Sequence, residues 1–300
     1  MKKILVTGGT VFVSKYVAKY YADKGYEVYV LNRGTKPQID GVKLLKADRK
    51  NIGDILKSIH FDIVFDITSY DKDDIVNLTN ALGSYDDYIM ISSSAVYMET
   101  SPQPFVEEQE PGLNKFWGAY GVGKIEAEKA LLAINPNAYI IRPPYLYGPM
   151  NNVYREGFVF DCAMQDRQFA LPKDGSMKMQ FFHVKDLCRF MDAILQKKPD
   201  NHIFNVGNKE TVSIKEWVKM CYEVAGKEVI FKEIEEKVPQ RNYFCFADYE
   251  YYLDVTKQFE LIDETIDMKE GLKESFDWYV ENRNDVNRKN YVDYIDEFLI

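Results

Sequence analysis

Short apolar runs alternate with amphipathic stretches along the first half of the chain. The apolar runs are rich in β-branched and aromatic residues, which is typical of buried strands, and they lie at residues 3–7, 26–31, 42–48, 61–67 and 88–94. The stretches between them carry apolar residues at helical spacing and predict helices over residues 12–24, 52–59 and 73–82. This alternation predicts an α/β protein built on a Rossmann-type, doubly wound parallel sheet.

The second half of the chain continues this pattern with an interruption. It predicts a helix from Tyr120 to Leu132 and a sixth strand at residues 138–144, and the pattern then loosens over residues 145–180. Apolar periodicity returns in four further segments. These segments lie at residues 181–195, 203–207, 213–225 and 268–282, with a short strand at 229–231.

Two parts are expected from this organisation. A dinucleotide-binding Rossmann domain would comprise residues 1–145 and about 182–207. A smaller, mixed α/β substrate-binding lobe would comprise about 146–181 and 208–300. The tail from Asn282 is charged and aromatic, and its pattern gives no assignment.

A glycine-rich turn joins the first predicted strand to the first predicted helix. Gly8 and Gly9 end the strand, and Gly25 ends the helix, so strand, turn, helix and second strand fall within about thirty residues. Dinucleotide-binding units have this form, with backbone N–H groups at a helix N-terminus facing a pyrophosphate. The spacing departs from the usual fingerprint, because Val11 and Ser14 stand where glycines are expected. The residues alone fit either a nucleotide site or an ordinary strand–helix corner.

The carboxyl ends of the predicted strands bear on the choice of cofactor. Ligands of doubly wound sheets bind at that edge, where Gly8, Arg33, Asp48, Tyr70 and Ser93 fall. An arginine after the second strand favours the 2′-phosphate of NADP, whereas the ribose hydroxyl of NAD usually meets an acid. Arg33 therefore favours NADP, unless it is a solvated loop charge. Asp48 is placed to meet an adenine edge.

Tyr120 and Lys124 form the pair of residues best suited to acid–base catalysis. They are four residues apart in a stretch of strong helix formers, which places both side chains on one helix face. A tyrosine is a poor base at neutral pH, but a neighbouring ammonium stabilises its phenolate. The pair could therefore move a proton to or from a substrate hydroxyl. Such spacing arises easily by chance in a chain with 22 tyrosines, so it gains weight only from its surroundings.

Composition narrows the classes of function. The net charge of −9 gives no support to a nucleic-acid-binding or membrane-binding face. No apolar stretch approaches the roughly twenty residues of a membrane span, and the N-terminal apolar run is too short for a signal peptide. The four cysteines are far apart, which fits structural thiols in a reducing compartment, and three histidines argue against a metal site. We therefore expect a cytoplasmic protein that binds no metal.

Several short motifs follow one another along the chain. They are Thr7-Gly8-Gly9-Thr10, Ser92-Ser93-Ser94-Ala95-Val96-Tyr97, Tyr120-x-x-x-Lys124, Arg142-Pro143 with Tyr147-Gly148-Pro149, Phe182-His183-Val184 with Asp186-Leu187, Phe204-Asn205-Val206-Gly207, and Gly271-Leu272 with Phe276 and Tyr279. Each motif is weak alone. Together, and in this order, they resemble the extended short-chain dehydrogenase/reductases of the NAD-dependent epimerase/dehydratase group, which acts on nucleotide sugars.

The resemblance implies a role for each matching position. Tyr120 would be the general base and acid, Lys124 would support it and hold the nicotinamide ribose, and Ser93 would hydrogen-bond the reacting oxygen. His183 would pack rather than catalyse. The resemblance also implies NADP or NAD as cofactor and suggests a homodimer formed in part by the Tyr120 helix. The cofactor-binding residues would be Gly8, Thr10, Val11, Phe12, Asn32, Arg33, Asp48, Pro143 and Tyr145.

The implied chemistry is a reversible oxidation. The phenolate of Tyr120 takes a hydroxyl proton while hydride leaves the same carbon for the nicotinamide. The resulting ketone is then reduced from its other face, which gives an epimer, or it is released. Dehydratases of this family usually place Asp-Glu directly after the catalytic Thr, where this chain has Ser94 and Ala95. Dehydration is therefore disfavoured, and epimerase or reductase remains.

Two departures leave the substrate open. Many nucleotide-sugar members have an arginine where Met179 and Gln180 stand, to grip the substrate diphosphate, whereas Arg241 matches the second such arginine. The Gly-Gly-Thr-x-Phe turn, Asn32-Arg33-Gly34 and the Met-Gln pair also resemble the atypical branch that includes chloroplast stem-loop RNA-binding proteins. We therefore expect an epimerase or reductase of a nucleotide-sugar-like substrate. The alternatives are a non-catalytic dinucleotide- or RNA-binding module and a reductase of a small carbonyl compound.

Overall fold

The computed structural model describes residues 1–235 and 237–299, in which strands and helices alternate. The strands are β1 (Lys3–Thr7), β2 (Glu27–Asn32), β3 (Val42–Lys46), β4 (His60–Asp66), β5 (Ser84–Ile91), β6 (Tyr139–Arg142), β7 (Tyr145–Tyr147), β8 (Phe169–Pro172), β9 (Lys178–Met179), β10 (Phe181–His183), β11 (Ile203–Asn205), β12 (Val212–Ser213) and β13 (Phe231–Ile234). The helices are α1 (Phe12–Asp23), α2 (Lys72–Ala81), α3 (Gly118–Ile134), α4 (Glu156–Met164), α5 (Val184–Lys197), α6 (Ile214–Val224), α7 (Thr256–Phe259), α8 (Met268–Glu281) and α9 (Tyr291–Phe298).

A seven-stranded parallel sheet forms the centre of the first part of the chain. Its order is β11-β6-β5-β4-β1-β2-β3, and every neighbouring pair is parallel. Helices cover both faces: Val64 of β4 packs with Leu78 of α2 and Leu131 of α3, while its neighbour Phe65 stacks on Tyr21 of α1. The strand order reverses between β1 and β4, which is where ligands of such sheets bind. The predicted Rossmann-type α/β fold is confirmed.

One predicted helix is wrong. Residues 53–58 form a run of tight turns instead of an α-helix. Gly53 adopts a left-handed φ of 66°, and the N–H of Ile59 reaches back only to the carbonyl of Leu56. The apolar positions that suggested the helix are nevertheless buried, since Ile52 and Leu56 belong to the core.

The chain divides into two compact units. The first comprises Met1–Pro144, Val184–Gly207 and Leu253–Glu264; the second comprises Tyr145–His183, Asn208–Tyr252 and the described residues from Thr265. The segment Leu253–Glu264 differs from the division expected from the sequence, which assigned it to the smaller lobe. The side-chain amide of Gln258 explains the difference, because it exchanges hydrogen bonds of 2.7 and 3.0 Å with the backbone of Gly207.

The second unit combines short sheets with helices. β7 pairs in parallel with β10 and β8 with β13, while β9 and β12 are antiparallel. The buried carboxylate of Asp161 in α4 accepts hydrogen bonds from the hydroxyls of Tyr154 and Tyr279, both at 2.8 Å, and from Arg283 at 2.7 Å. It thereby joins α4 to α8. His183 is fully buried at the end of β10 and packs edge-on against Tyr147.

Two smaller expectations concern cysteines and membrane spans. The four cysteines, all within the described residues, are buried free thiols, as predicted. Across residues 1–235 and 237–299, no helix has both the length and the apolar character needed to cross a membrane.

A buried ion pair ties α3 to the sheet. Arg142 at the end of β6 meets Glu128 of α3 through two contacts, Nε to Oε1 at 3.0 Å and Nη2 to Oε2 at 2.6 Å, and both side chains are buried. Arg142 also donates to the hydroxyl of Tyr97 at 2.9 Å, and the hydroxyl of Ser92 donates to Glu128. Since α3 carries the predicted catalytic tyrosine and lysine, this pair helps to fix their position.

Replacing Glu128 by Ala should lower the free energy of unfolding by about 3–5 kcal/mol, because it leaves a buried guanidinium without its counterion. Urea denaturation measures the loss. Glu126→Ala, which removes an exposed carboxylate from the same helix, is the control and should change the free energy by less than about 0.5 kcal/mol. A loss below about 1 kcal/mol for Glu128→Ala would show that the pair behaves like a surface ion pair.

Candidate active site

In the turn after β1, the backbone lies very close to neighbouring side chains. Gly8 and Gly9 have φ values of 92° and 87°, which L side chains rarely adopt. A Cβ on Gly8 would lie 2.7 Å from the Oγ of Ser14, and one on Gly9 would lie 2.5 Å from a methyl group of Val30. Both positions therefore require glycine for space as well as for conformation.

The departures from the usual glycine spacing are accommodated locally. Val11 is extended, with φ −140°, so it needs no glycine, and Ser14 donates to the carbonyl of Val11 at 2.9 Å while packing against the turn. Phe12 takes the left-handed conformation instead, with φ 33°. Thr10 stands between the glycines and Val11. No side chain of the described residues caps α1, which leaves the N–H groups of its first turn for an anion. This turn therefore fits the pyrophosphate of a dinucleotide.

The residues predicted to meet the adenosine half lie at the ends of β2 and β3. The side-chain amide of Asn32 donates to the carbonyl of Gly8 at 2.7 Å and accepts from the N–H of Gly34 at 2.8 Å, so it braces the turn. Arg33 beside it is exposed and has no hydrogen-bond or ion-pair partner in the part of the chain that the structure describes. Asp48 is exposed, and its carboxylate accepts from the N–H of Lys50 at 2.9 Å.

Helix α3 lies close to the ends of β4 and β5. A Cβ on Gly121 would lie 2.5 Å from the carbonyl oxygen of Ala95, and one on Gly123 would lie 2.2 Å from that of Tyr70. Both opposing atoms are backbone, so neither contact could be relieved by moving a side chain. The two glycines in the Tyr-Gly-Val-Gly-Lys sequence therefore set the distance between the helix and the strand ends. This role was not predicted, although alternate glycines in a predicted helix were the available signal.

Lys124 is held at the carboxyl edge of the sheet. Its side chain is 2% exposed, and its ammonium donates to the carbonyls of Ser69 at 2.6 Å and Ile91 at 2.8 Å, which follow β4 and end β5. Among the described residues these are its two acceptors, which leaves the third N–H donor for a ligand. Burial lowers the pKa of Lys124 to about 8, so the side chain remains largely protonated at neutral pH.

Tyr120 and Ser93, the other two predicted catalytic residues, both precede this lysine in the chain. Tyr120 is in the first turn of α3 and is 42% exposed, with its ring centroid 6.4 Å from that of Tyr70. The ring of Tyr70 also faces the ammonium of Lys124 at 5.2 Å. Ser93 follows β5, and its Oγ accepts from the N–H of Ala95 at 3.1 Å, which leaves the hydroxyl proton to donate.

The remaining predicted residues lie in both units. Pro143 follows β6 in the first unit, and its carbonyl accepts from the N–H of Ser94 at 2.9 Å, beside Ser93 in the chain. Tyr145 belongs to the second unit, where its ring is buried in an aromatic cluster. Arg241 belongs to the same unit and is exposed, and its guanidinium donates to the backbone carbonyl of Cys245.

A buried ion pair beneath this edge was missed by sequence analysis. Asp66, the last residue of β4, is fully buried, and the two terminal nitrogens of Arg49 each donate to one of its carboxylate oxygens at 2.8 Å. The hydroxyls of Thr7 and Tyr88 donate to the same carboxylate at 2.8 and 2.6 Å. An acid that closes an apolar strand must find a partner, and this was the signal in the sequence. The sequence does not say which cation provides it.

A parallel sheet with a Tyr–Lys helix at its carboxyl edge is the architecture of the extended short-chain dehydrogenase/reductases. Within that class, the chain belongs to the NAD-dependent epimerase/dehydratase family, whose model matches residues 4–207. The predicted family is therefore confirmed, and with it the prediction of an NAD(P)-dependent enzyme type.

Individual relatives share most of their length with this chain. The chloroplast stem-loop binding protein of 41 kDa b from Arabidopsis thaliana is 28% identical over 92% of this chain and 78% of its own. A putative UDP-glucose 4-epimerase from Methanocaldococcus jannaschii is 26% identical over 93% and 99%. The structure of UDP-glucuronic acid 4-epimerase from Bacillus cereus with UDP-glucuronic acid and NAD matches at a TM-score of 0.72 and 21% identity, over 93% and 99%. Both predicted resemblances, to the epimerases and to the stem-loop-binding branch, are confirmed.

The buried ammonium of Lys124 should leave a signature in the pH dependence of stability. Its pKa is about 8 in the folded protein and ordinarily 10.5, so between these values the unfolded chain binds the proton more tightly. The free energy of unfolding of the wild type should therefore rise relative to that of Lys124→Met as pH increases through this window, by up to about 1.4 kcal/mol per pH unit. Below the window the difference should stay constant.

Urea denaturation at a series of pH values measures this difference. Lys129→Met removes an exposed lysine from the same helix without emptying a buried site, and it serves as the matched control. A difference between wild type and Lys124→Met that stays flat across the whole window would contradict a buried, charged lysine.

Proposed function

We propose that the protein is an NAD(P)-dependent epimerase or reductase of a nucleotide-sugar-like substrate. The observation that carries the proposal is the ammonium of Lys124, buried at the ends of β4 and β5 with one donor left, a single helical turn from an exposed Tyr120. Burying an ammonium costs free energy, and the two carbonyl acceptors that offset this cost leave one N–H of Lys124 to donate to a ligand.

The proposed cofactor site uses backbone at one end and Lys124 at the other. The N–H groups after Gly9 and at the start of α1 would hold the pyrophosphate. The remaining N–H of Lys124 would donate to a hydroxyl of the nicotinamide ribose. The bound dinucleotide would supply the hydride acceptor or donor.

The proton is moved by residues of this chain. The positive charge of Lys124 stabilises the phenolate of Tyr120, which takes the proton of the substrate hydroxyl and later returns it. The hydroxyl of Ser93, whose oxygen is already oriented by the N–H of Ala95, donates to the same substrate oxygen. Ser94 and Ala95 offer no carboxylate for the extra proton transfers of a dehydration, so epimerisation or simple reduction is the reaction we propose.

The nucleotide-sugar character of the substrate rests on relatives and on Arg241. Two of the relatives are named for UDP-sugars, and Arg241 matches an arginine that grips the diphosphate in the family. Met179 and Gln180 replace the other arginine, and both are buried inside the second unit, where the amide of Gln180 donates to the carbonyl of Asn208 at 2.8 Å. We therefore propose that a diphosphate is held with fewer arginine contacts than is usual.

Replacing Tyr120 by Phe tests the catalytic role. The variant should lose hydride transfer by roughly 10²–10⁴-fold because it has lost the general acid and base, while its affinity for the dinucleotide should be preserved. Exchange of deuterium between labelled NAD(P)H and a panel of nucleotide sugars measures the first, and fluorescence titration the second. Tyr26→Phe, which alters a tyrosine on the β1–α1–β2 unit away from this helix, is the control. Turnover that is unchanged in Tyr120→Phe would exclude the mechanism.

Replacing Arg33 by Ala tests the cofactor preference. Arg33 is exposed and unpaired among the described residues, so its guanidinium would be available to a 2′-phosphate. The variant should bind NADP about 10–100-fold more weakly, the value of a charge-assisted hydrogen bond, and NAD about equally well. Lys36→Ala, in the same exposed loop, is the control. Equal losses for both dinucleotides would indicate that Arg33 is only a solvated charge.

A second candidate function is a binding module that recognises RNA. The stem-loop binding relative favours it, whereas the net charge of −9 does not. RNA binding that weakens steeply with salt would support it, and no binding to stem-loop RNA at low salt would end it. Oxidation of NADPH by small carbonyl compounds, but not by nucleotide sugars, would favour the remaining alternative of a small-carbonyl reductase.

A further inference from the structure

The guanidinium of Arg49 makes its hydrogen bonds and ion pairs with one short segment of the chain, residues 66–74. Besides the two bonds to Asp66, one terminal nitrogen donates to the hydroxyl of Ser69 at 2.8 Å and to the carbonyl of Asp74 at 3.1 Å. Its Nε lies 3.3 Å from the carboxylate of Asp74. The arginine thus clamps residues 66–74, which connect the end of β4 to the start of α2.

This segment supplies one of the two acceptors of Lys124. The hydroxyl of Ser69 donates to Asp66 and accepts from Arg49, so both groups fix the side chain of Ser69. The carbonyl of the same serine accepts from the ammonium of Lys124 at 2.6 Å. The chain of contacts therefore runs from Arg49 through a single residue to the lysine.

The segment also supplies the aromatic neighbour of Lys124. The N–H of Tyr70 donates to the carboxylate of Asp74 at 2.8 Å, and Asp74 is in turn paired with Arg49. The ring of Tyr70 faces the ammonium of Lys124 at 5.2 Å. Through this second route, Arg49 holds the backbone of Tyr70, whose ring also lies 6.4 Å from that of Tyr120.

Arg49 also acts on Lys124 by charge. Asp66 of β4, Asp74 of α2 and Glu128 of α3 favour the charged lysine, whereas burial and the positive charge of Arg49 disfavour it, and the result is a pKa of about 8. The arginine therefore contributes to placing the titration of Lys124 near the neutral range. Without this positive charge, Asp66 and Asp74 would lose their cationic partner and would hold the proton of Lys124 more tightly.

We propose that Arg49 is a positioning residue for Lys124, which it holds by fixing residues 66–74 in the conformation that supplies the lysine's carbonyl acceptor and aromatic neighbour. This link, from Arg49 through Ser69 and Tyr70 to Lys124, lies within the first unit alone. Only its consequence for hydride transfer rests on the proposed function. Arg49 does not reach the substrate in this account, and it acts through Ser69 and Tyr70.

The test is the titration of Lys124 in the full-length Arg49→Gln variant, followed by NMR of ¹³Cε-labelled lysine and assigned with Lys124→Met. The midpoint should move up from about 8 toward the ordinary 10.5, because a repelling charge is removed and the burial of the ammonium is loosened. Hydride transfer at neutral pH should fall by roughly 10–100-fold, the effect of a small misplacement of a catalytic group. Arg49→Lys keeps a positive charge and should therefore bring the titration back part of the way, but it should not restore hydride transfer, since an ammonium cannot span three acceptors.

Tyr88→Phe is the matched control for a merely structural role. It removes another hydrogen bond to Asp66, at 2.6 Å, but leaves the contacts of Arg49 with Ser69 and Asp74. It should lower the melting temperature without moving the titration of Lys124. If Arg49→Gln does not fold, Ser69→Ala removes the middle of the link while keeping the carbonyl, and it should move the titration in the same direction by a smaller amount.

Two outcomes separate this proposal from the proposed function. If the wild type transfers no hydride but Arg49→Gln moves the titration, the link stands and the enzyme assignment falls. If the wild type is active and the titration in the Arg49 and Ser69 variants stays at the wild-type value, the link is overturned. A shift of equal size in Tyr88→Phe would also overturn it, because the effect would then follow from general loosening around Asp66.

Discussion

The candidate active site depends on one buried ammonium. Lys124 is 2% exposed, and a charge in that position is tolerated only where acceptors are already aligned. A parallel sheet supplies them, because the carbonyls at the ends of β4 and β5 meet at one edge and both accept from the lysine. The fold thus explains why the cation is stable there, and the unused donor of that cation explains how the edge could bind a ligand.

Close approach of α3 makes this arrangement possible. Gly121 and Gly123 remove the side chains that would collide with backbone carbonyls, and the pair of Arg142 with Glu128 fixes the helix further along. The tyrosine and lysine of one short motif therefore depend on residues of two different kinds. Glycines set the distance of the helix, and a buried ion pair sets its position along the sheet.

Much of the fold could be predicted because its signals are local. Apolar runs that end at Gly8 or at prolines mark strands. A helix alone is enough to place Tyr120 and Lys124 on the same face. The predicted helix at residues 52–59 failed because an apolar period does not distinguish a helix from consecutive turns that bury the same residues. Gly53, with its left-handed φ, was the local contrary signal.

The site was less predictable because its partners are distant in sequence. Arg49 and Asp66 are 17 positions apart in the chain, and the sequence around each residue does not identify the other as its partner. The most direct test of the account is calorimetric titration of the wild type and Lys124→Met with NADP and with NAD. We expect at least one dinucleotide to bind the wild type, and to bind the variant about tenfold or more weakly because one charge-assisted hydrogen bond is lost. Failure of the wild type to bind either dinucleotide, or equal binding by both proteins, would contradict the central role given to this lysine.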